Sequence, residues 1–313
     1  MRSLTKIADL SVDDLNAIVG LAERYRLQRI NGEAGDKPLQ GRFVALVFEN
    51  PSLRTKVSFE VATVSLGGHP VFLSSGQIFA SGANQSGRES IPDIGRNLER
   101  FCDAIVARVY NHSTLVTLRS VIKAPLINAL CDRHHPCQAI ADVLTMERLA
   151  PRSRQGLTVA YVGDGNNVAT SLVQACVMRG HNVVVASPRG YEVPAEEQMV
   201  TSSLRVSKCQ SIDFITNPAE AVSGADIVYT DTFVAMGQEG EHAQRLADFK
   251  GYQVDGALMA KAPTHVKFMH CMPAHRGEEV TDEVMDGPQS VVFDQAESRL
   301  HVAKAVLAWS LSA

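Results

Sequence analysis

The sequence predicts an α/β protein built from two doubly wound parallel-sheet domains with a cleft between them. Short apolar runs of strand length alternate with helical patterns through most of the chain, which is typical of parallel sheets covered by helices. This alternation pauses at the polar segment PRSRQG (151–156) and then begins again. A length of 313 residues is sufficient for two hydrophobic cores, because single cores rarely grow beyond about this size.

The first half opens with the helical stretch SVDDLNAIVGLAERY, which Ser11 and Asp14 are expected to cap. Its apolar residues share one face: Leu15, Ile18, Val19 and Ala22. A buried strand is predicted for RFVALVF (42–48), and the glycine pair at 67–68 ends the helix that follows. That second helix carries an apolar row at helical spacing: Val57, Val61 and Val64.

The later elements continue the alternation. HPVFL, PDIGRNLERF, AIVARVY, STLVTLRSVI and PLINAL precede a longer helix, PCQAIADVLTMERLA (136–150). LTVAYVG, VATSLVQACVMRG, NVVVAS, ADIVYTD and HVKFMHC follow the polar segment. We therefore expect a first domain at 1–135, a connecting helix at 136–150 and a second domain at 151–294. A last helix at 295–313 is expected to pack back on the first domain.

Composition and charge limit the classes of partner. Hydrophobic residues make up 45% and charged residues 20% of the chain, as in ordinary globular proteins. A net charge of -4 gives no reason to expect nucleic acid or an anionic membrane. The six cysteines have no paired spacing, and the N-terminal stretch lacks the apolar core of a secretion signal. These features predict a cytoplasmic protein with reduced thiols.

A candidate anion site lies in FENPSLRTKVSFEVA (48–62). Ligands bind beyond the carboxyl ends of strands in open parallel sheets, and here a strand, a turn and a helix start follow one another. The free N–H groups of the helix start, the hydroxyls of Ser52 and Thr55 and the guanidinium of Arg54 suit a phosphate. It is not a Walker loop, because no glycine-rich run precedes it. A helix cap with a solvated arginine remains the alternative at this point.

Three other segments place polar groups at predicted strand ends or helix starts. ARVY carries Arg108, HHPCQAIAD carries His135 and Gln138, and HCMPAHRGEEV carries Cys271. Together with SLRT, these motifs resemble the aspartate/ornithine carbamoyltransferase family. The ornithine branch matches better, through HPCQAIAD, GDGNN, DTFVAMGQE and HCMPAHRGEE, and the resemblance covers nearly the whole chain.

The resemblance implies that the first domain binds carbamoyl phosphate. It places Arg108 between phosphate and carbonyl oxygen, His135 at the carbamoyl end and Asn84 (less so Gln85) in the site of a neighbouring subunit. The full set of implied carbamoyl-phosphate contacts is Ser52, Leu53, Arg54, Thr55, Arg108, His135, Gln138, Met272, Arg299 and Asn84. Leu53 would contribute only its backbone N–H and Met272 only its carbonyl. The implied catalytic residues are Arg108, His135, Cys271, Asp231 and Arg299.

The resemblance assigns the second domain to the amino acid. Its implied contacts are Asn167, Asp231, Ala235, Met236 and Cys271. Cys271 would orient the attacking amine beside Asp231 without a covalent intermediate. Within GDGNN, the alternative to a substrate contact is a turn asparagine in a left-handed conformation, a role that Asn166 could fill. A dinucleotide loop is disfavoured there, because Val168 stands where the third glycine would be needed.

The implied activity is carbamoyl transfer to L-ornithine, within arginine metabolism, by a homotrimer or a multiple of trimers. No organic cofactor and no metal is expected, since the cysteines and histidines of CDRHHPC lack zinc-site spacing. Three departures from the family pattern are Leu53, Asn50 and Ala235, and Ala235 removes a hydroxyl contact to the amino acid. They keep two alternatives open: a transferase for putrescine, an acylated ornithine or, disfavoured by Asp231, aspartate; and a non-catalytic paralogue that binds carbamoyl phosphate.

Overall fold

The structure is a computed structural model that describes residues 2–75, 89–149, 156–235 and 237–312. The chain forms two compact units, Met1–Leu144 with Glu297–Ala313 and Thr145–Ala296. Each unit contains a parallel sheet with flanking helices, which confirms the predicted fold class. Of the predicted linker at 151–156, all but Gly156 lies outside the described residues.

The first unit contains a four-stranded sheet in the order β2-β1-β3-β4. Its strands are β1 (Phe43–Phe48), β2 (His69–Ser74), β3 (Ala104–Arg108) and β4 (Leu126–Leu130). The helices before and between them are α1 (Val12–Ile30), α2 (Leu53–Ser65), α3 (Ile91–Phe101) and α4 (His112–Val121), and α5 (Pro136–Leu149) follows β4. Because the paired strands are parallel, the loops after β1, β3 and β4 emerge at one edge of the sheet.

The N-terminal helix begins as predicted. Ser11 has an extended backbone and its side chain accepts a hydrogen bond from the backbone nitrogen of Asp14, 3.0 Å away. The four residues of the predicted apolar face are all buried: Leu15, Ile18, Val19 and Ala22. The capping residues therefore identified the start of α1, and helical spacing identified its buried face.

Helix α2 has the predicted position, and its row of valines at helical spacing is exposed. The valine row Val57, Val61 and Val64 is between 41% and 62% exposed in the single chain. The opposite face is buried instead, and it consists of Thr55, Ser58, Phe59, Ala62 and Thr63. Phe59 supplies the large apolar group on that face, and the small polar side chains bond to the backbone of their own helix: Ser58 to Thr55 and Thr63 to Phe59.

The second unit contains a five-stranded parallel sheet in the order β7-β6-β5-β8-β9. Its strands are β5 (Thr158–Val162), β6 (Asn182–Ala186), β7 (Ile212–Ile215), β8 (Ile227–Thr230) and β9 (Lys267–His270). The helices are α6 (Asn167–Met178), α7 (Ala195–Ser203), α8 (Pro218–Val222), α9 (His242–Asp248), α10 (Gly256–Met259) and α11 (Asp282–Met285). Strand order reverses at β5, which makes the edge beyond β5 and β8 a usual place for a ligand.

The last helix, α12 (Val292–Leu311), is longer than the predicted 295–313 at its start. The sequence did not identify β7 or the short helices of the second unit, because four- and five-residue elements carry too little periodicity. Within the described part of the chain, no helix is both long and apolar enough to span a membrane.

Candidate active site

The predicted anion corner of the first unit is a capped helix start. Ser52 has an extended backbone, and its hydroxyl accepts a hydrogen bond from the Thr55 nitrogen and donates one to Thr55 Oγ1 at 3.0 Å. Arg54 is half-buried, whereas the Leu53 side chain is 75% exposed. A contact between the backbone N–H of Leu53, the first residue of α2, and a ligand stays a prediction.

Arg108 ends β3 and is held by a residue that sequence reasoning had not connected to it. The Arg108 guanidinium is buried, and its Nε donates a hydrogen bond of 2.7 Å to Asn50 Oδ1. The two residues meet because Arg108 stands opposite Phe48 in the pairing of β3 with β1. The sequence indicated Asn50 only as a departure from the family pattern. The structure makes it a buried partner of Arg108.

A second buried network joins the start of α5 to the C-terminal helix. Arg299 donates from Nη1 to Gln138 Oε1 at 2.8 Å and from Nη2 to Thr55 Oγ1 at 2.7 Å. Gln138 in turn donates to Asp142 Oδ1 at 2.8 Å. Arg299 is therefore a buried residue of the first unit and not a surface arginine of an amphipathic helix. Arg299 thus contacts two other predicted site residues, Gln138 and Thr55, and Thr55 lies 244 positions earlier in the sequence.

His135 precedes α5 and is buried among these arginines. Burial lowers the pKa of His135 well below its usual range, and the positive charges of Arg299, Arg108 and Arg54 lower it further. The imidazole is therefore neutral near neutral pH. Burial likewise raises the pKa of Cys137 to about 12, so this neighbouring thiol stays protonated.

This arrangement of the first unit combines three guanidinium groups with neutral hydrogen-bonding side chains. Buried positive charge is costly unless an anion balances it. Forked guanidinium groups bind the oxygens of a phosphate, and a neutral imidazole can donate to or accept from a polar carbonyl. The chemistry fits a small phosphorylated molecule with a polar, uncharged end.

In the second unit, Asp231 follows β8 and Cys271 follows β9. Cys271 Sγ donates to Asp231 Oδ1 at 3.0 Å, and Asn166 Nδ2 donates to Asp231 Oδ2 at 2.9 Å. Asp231 and Cys271 are both buried. The pair that the sequence predicted is thus in contact, and its third member, Asn166, was not predicted as a site residue.

The structure does not support the alternative of a left-handed turn at Asn166. Asn166 is the N-cap of α6 with an extended backbone, φ -77° and ψ -168°, and its Oδ1 accepts from the nitrogens of Val168 and Ala169. A cap needs extended backbone geometry, so the same amide can both start the helix and reach Asp231. Asn167 is the first residue of α6 and half-buried. Positive φ occurs instead at Gly163.

The loop after β5 is packed too closely for a side chain at Gly165. A Cβ at this position would lie 2.1 Å from the backbone nitrogen of Val193. The preceding Asp164 contacts the buried Arg245 of α9, whose Nε also donates to the Phe233 carbonyl at 2.7 Å. Burial raises the pKa of Asp164 to about 6, and the Arg245 charge opposes this rise. Arg245 therefore ties the loop after β5 to the loop after β8, a link that the sequence did not reveal.

His270 fixes the backbone beside Cys271. The Met272 nitrogen donates to His270 Nδ1 at 2.8 Å, so the ring proton must lie on Nε2, which is 3.1 Å from Glu279 Oε1. The His270 nitrogen donates to Gln295 Oε1 at 2.9 Å. Met272 has a positive φ of 55°, a conformation that its neighbours must hold in place.

Other predicted residues are placed as follows. Ala235 lies in the loop after β8, and its nitrogen donates to Gln238 Oε1 at 3.0 Å. Asn84, Gln85 and Met236 lie outside the described residues. In the CDRHHPC segment, Cys131 Sγ lies 3.4 Å from His112 Nδ1, and burial lowers the pKa of His134 to about 3.

The family models that match this chain describe both halves. Residues 2–148 match the carbamoyl-P binding domain of aspartate/ornithine carbamoyltransferase, and residues 155–310 match the Asp/Orn binding domain.

Several curated proteins are similar over nearly the whole length. The ornithine carbamoyltransferase of Thermus thermophilus is 46% identical over 294 residues, which cover 94% of this chain and 91% of that protein. The Bacillus subtilis ornithine carbamoyltransferase is 42% identical, over 98% of this chain and 92% of its own. The solved structure of ornithine carbamoyltransferase from Pyrococcus furiosus has a TM-score of 0.90 at 41% identity, covering 98% of this chain and 96% of that one.

Proposed function

The chain belongs to the aspartate/ornithine carbamoyltransferase family, and we propose that it transfers the carbamoyl group of carbamoyl phosphate to the δ-amine of L-ornithine, giving L-citrulline and phosphate. The observation that carries this proposal is the buried cluster of the first unit. There, Arg108 donates to Asn50, Arg299 donates to Gln138, and both arginines lower the pKa of the buried, uncharged His135. Such a site calls for an anion with a polar carbonyl, which describes carbamoyl phosphate.

The proposed contacts of carbamoyl phosphate are those that the family resemblance implies, and the chemistry of the first unit supports them. The helix start would hold the phosphate through the hydroxyls of Ser52 and Thr55, the Leu53 N–H and the Arg54 guanidinium. Arg108 would bridge the phosphate and the carbonyl oxygen. His135 and Gln138 would hold the carbamoyl end, and Arg299 would reach its oxygen while donating to Thr55 and Gln138. The neighbouring subunit's loop would add Asn84, and the second unit the Met272 carbonyl.

The proposed reaction is a direct displacement at the carbonyl carbon. The neutral δ-amine attacks, a C–N bond forms, and negative charge develops on the carbonyl oxygen. Arg108, Arg299 and a donor from His135 would stabilise that oxygen, the kind of contribution that is usually largest in acyl transfer. The C–O bond to phosphate then breaks, and phosphate takes the proton lost by the amine.

The second unit supplies a carboxylate suited to the amino acid. The side-chain hydrogen bonds that Asp231 accepts come from a thiol and an amide, both neutral, so its negative charge is available for a cation. An α-ammonium is such a cation, and Asn167, at the start of α6, would meet the α-carboxylate. Cys271 would orient the δ-amine, while Ala235 and Met236 would border the amino acid.

The lack of a hydroxyl group at Ala235 favours a second candidate function, a transferase for another amine. A serine hydroxyl at this position would add a hydrogen bond to a charged amino acid, worth about 1.5–3 kcal/mol. Putrescine would need no such contact, but it would also leave Asp231 and Asn167 without an α-group. Ala235→Ser should therefore tighten ornithine binding if ornithine is the substrate, and unchanged or weaker binding would favour the other amine.

The test of the proposed function is a panel assay of the wild-type chain with carbamoyl phosphate and five amines. Ornithine, putrescine, N-acetylornithine, lysine and aspartate are compared by phosphate release and by the carbamoylated product. We expect citrulline from ornithine, loss of turnover in Arg108→Ala, and unchanged turnover in the control Arg100→Ala, an exposed arginine of the same unit. No turnover with any amine, while carbamoyl phosphate still binds, would identify a non-catalytic paralogue.

We also propose that the active form is a homotrimer, or a multiple of trimers, located in the cytoplasm. The exposed valine row of α2 supports contact with another copy, because such rows usually pack against protein. All six cysteines, each among the described residues, are thiols, which suits a reducing compartment. Mixing Asn84→Ala and Arg108→Ala subunits should restore part of the activity if subunits share sites. Mixtures without any recovery, or a fully active monomer, would refute shared sites.

A further inference from the structure

The side-chain amide of Gln138 lies between two buried charged groups of the first unit. Its Oε1 accepts a hydrogen bond from Arg299 Nη1 at 2.8 Å, and its Nε2 donates one to Asp142 Oδ1 at 2.8 Å. A guanidinium group only donates hydrogen bonds, whereas an ionised carboxylate only accepts them. These two partners therefore fix which end of the amide carries the oxygen, and Asp142 is the partner that has no role in the proposed reaction.

This orientation keeps the Gln138 oxygen on the side of the anion corner at the start of α2. The Arg299 guanidinium that donates to Gln138 also donates from Nη2 to Thr55 Oγ1 at 2.7 Å. Thr55 Oγ1 accepts in turn from the Ser52 hydroxyl at 3.0 Å. Asp142 holds the other end of the amide, one helical turn further along α5. A ligand bound at the corner therefore lies on the side of the Gln138 oxygen, because the nitrogen faces Asp142.

The Gln138 oxygen has capacity for one more hydrogen-bond donor. A carbonyl oxygen accepts two hydrogen bonds, and among residues 2–75, 89–149, 156–235 and 237–312 Arg299 is the one donor to Gln138 Oε1. Gln138 is 1% exposed and Asp142 0% exposed. A buried acceptor favours a ligand group that donates to it and disfavours an apolar group of the same shape. The site therefore calls for an N–H group next to the carbonyl of the ligand.

We propose that Asp142 is a positioning residue that makes this site selective for a carbamoyl group over an acetyl group. By holding the Gln138 nitrogen, Asp142 leaves only the oxygen for the ligand, and this oxygen accepts from the NH2 group of carbamoyl phosphate. The methyl group of acetyl phosphate has nearly the same shape but donates no hydrogen bond. This selectivity rests on the proposed function, since it concerns the same carbamoyl-phosphate site.

The alternative is that Asp142 only stabilises α5. Glutamine and aspartate one turn apart stabilise helices through the same kind of hydrogen bond. In that case, loss of the carboxylate weakens the binding of every ligand at this site by the same factor. A role in orientation has a different consequence. Without Asp142, the Gln138 nitrogen is free to turn toward the ligand, so an amide ligand loses more affinity than its methyl analogue.

Direct binding of two stable phosphonates to the full-length chain tests this role without an amine substrate. Phosphonoacetamide carries the amide group of carbamoyl phosphate, and acetonylphosphonate carries a methyl group in place of the NH2 group. Their dissociation constants are measured by isothermal titration calorimetry for wild type, Asp142→Leu and Gln138→Met. Glu197→Leu is the matched control, because Glu197 is a buried carboxylate of the second unit that accepts from Gln174 Nε2 at 2.9 Å.

We expect wild type and Glu197→Leu to bind phosphonoacetamide at least about tenfold more tightly than acetonylphosphonate, because a site built to accept from an N–H group rejects an analogue that lacks it. Asp142→Leu and Gln138→Met should each reduce this preference to about threefold or less. Circular dichroism establishes that the variants are folded. If Asp142→Leu does not fold, the smaller Asp142→Ala is measured in its place, with the same expected result.

Two results would overturn the proposed role of Asp142 and leave carbamoyl transfer intact. A folded Asp142 variant that keeps the wild-type preference, with both phosphonates weakened equally, would assign Asp142 to stability alone. Equal affinities of wild type for the two phosphonates would show that the site does not recognise the NH2 group. A wild-type chain that binds neither phosphonate would instead contradict the carbamoyl-phosphate site itself, and the selectivity with it.

Discussion

Replacing Asn50 with alanine removes the acceptor that holds Arg108 in the first unit. The bond is short, 2.7 Å from Arg108 Nε to Asn50 Oδ1, and both residues are buried. A hydrogen bond to a charged group contributes about 1.5–3 kcal/mol, and its loss inside the protein is not offset by water. Because each 1.4 kcal/mol is about tenfold, we expect kcat/KM for carbamoyl phosphate to fall roughly 10- to 150-fold.

The assay is steady-state phosphate release at saturating ornithine, with carbamoyl phosphate varied. A rise in KM alone would assign the Asn50 contact to binding of the ground state, and a fall in kcat would assign it to the transition state. Circular dichroism and thermal unfolding establish that the variant is folded. Asn97→Ala, an exposed asparagine of the same unit, is the control and should behave as wild type.

The interpretation of Asn50 as a positioning residue fails under one clear outcome. If Asn50→Ala keeps kcat/KM within about twofold of wild type while Arg108→Ala abolishes turnover, the short bond does not orient Arg108. Loss of folded protein in Asn50→Ala would instead assign the residue to stability, and the KM measurement would then be made with Asn50→Ser, which retains a shorter acceptor.

Three further predictions concern other parts of the molecule. Asn166→Ala removes the cap of α6, at a cost of about 1 kcal/mol in unfolding free energy, and one donor to Asp231, so the KM for ornithine should rise. Gly165→Ala should destabilise the folded chain by about 3 kcal/mol, measured by urea unfolding, because its Cβ would overlap the Val193 nitrogen. His134 has a pKa of about 3 in the folded chain, against an ordinary value of 6.5, so the unfolded chain binds the extra proton and stability falls as pH drops below 6.5. His134→Gln should therefore lose about 2 kcal/mol less than wild type between pH 7 and pH 5, in urea unfolding at both values.

Each of these predictions has a specific comparison. Asn217→Ala removes the cap of α8 away from Asp231, so equal KM values for it and Asn166→Ala would contradict the role of Asn166. Gly224→Ala meets no atom within 4 Å and should be tolerated; equal stability of both glycine variants would refute the packing argument. Parallel pH curves for His134→Gln and wild type would show that His134 is not held neutral.

The strand-end chemistry was predictable because parallel strands leave their loops at one edge of a sheet. Arg108, His135 and Cys271 could each be assigned to a strand end or a helix start from a few neighbouring residues. The capped start of α1 was equally local, since Ser11 and Asp14 are three residues apart. The roles assigned to these site residues remain predictions for the assays above.

The sequence predicted less well which face of a helix is buried and which residues from distant segments are in contact. Helical spacing found the valine row of α2 but could not tell which side of the helix packs against its own sheet, and the buried side proved to be the one with Phe59. Asn166 and Asn167 are adjacent in GDGNN, and the sequence alone did not decide which of them caps α6 and reaches Asp231.

The sequence by itself determined the α/β class, the approximate order of the longer strands and helices, and the family motifs, because each depends on residues close together in the chain. Only the tertiary structure decided that Asn50 holds Arg108, that Arg245 pairs with Asp164, and that His242 stands beside Glu278. These three contacts join residues 58, 81 and 36 positions apart. Their partners are set by strand order and by the packing of loops, which no local pattern of side chains specifies.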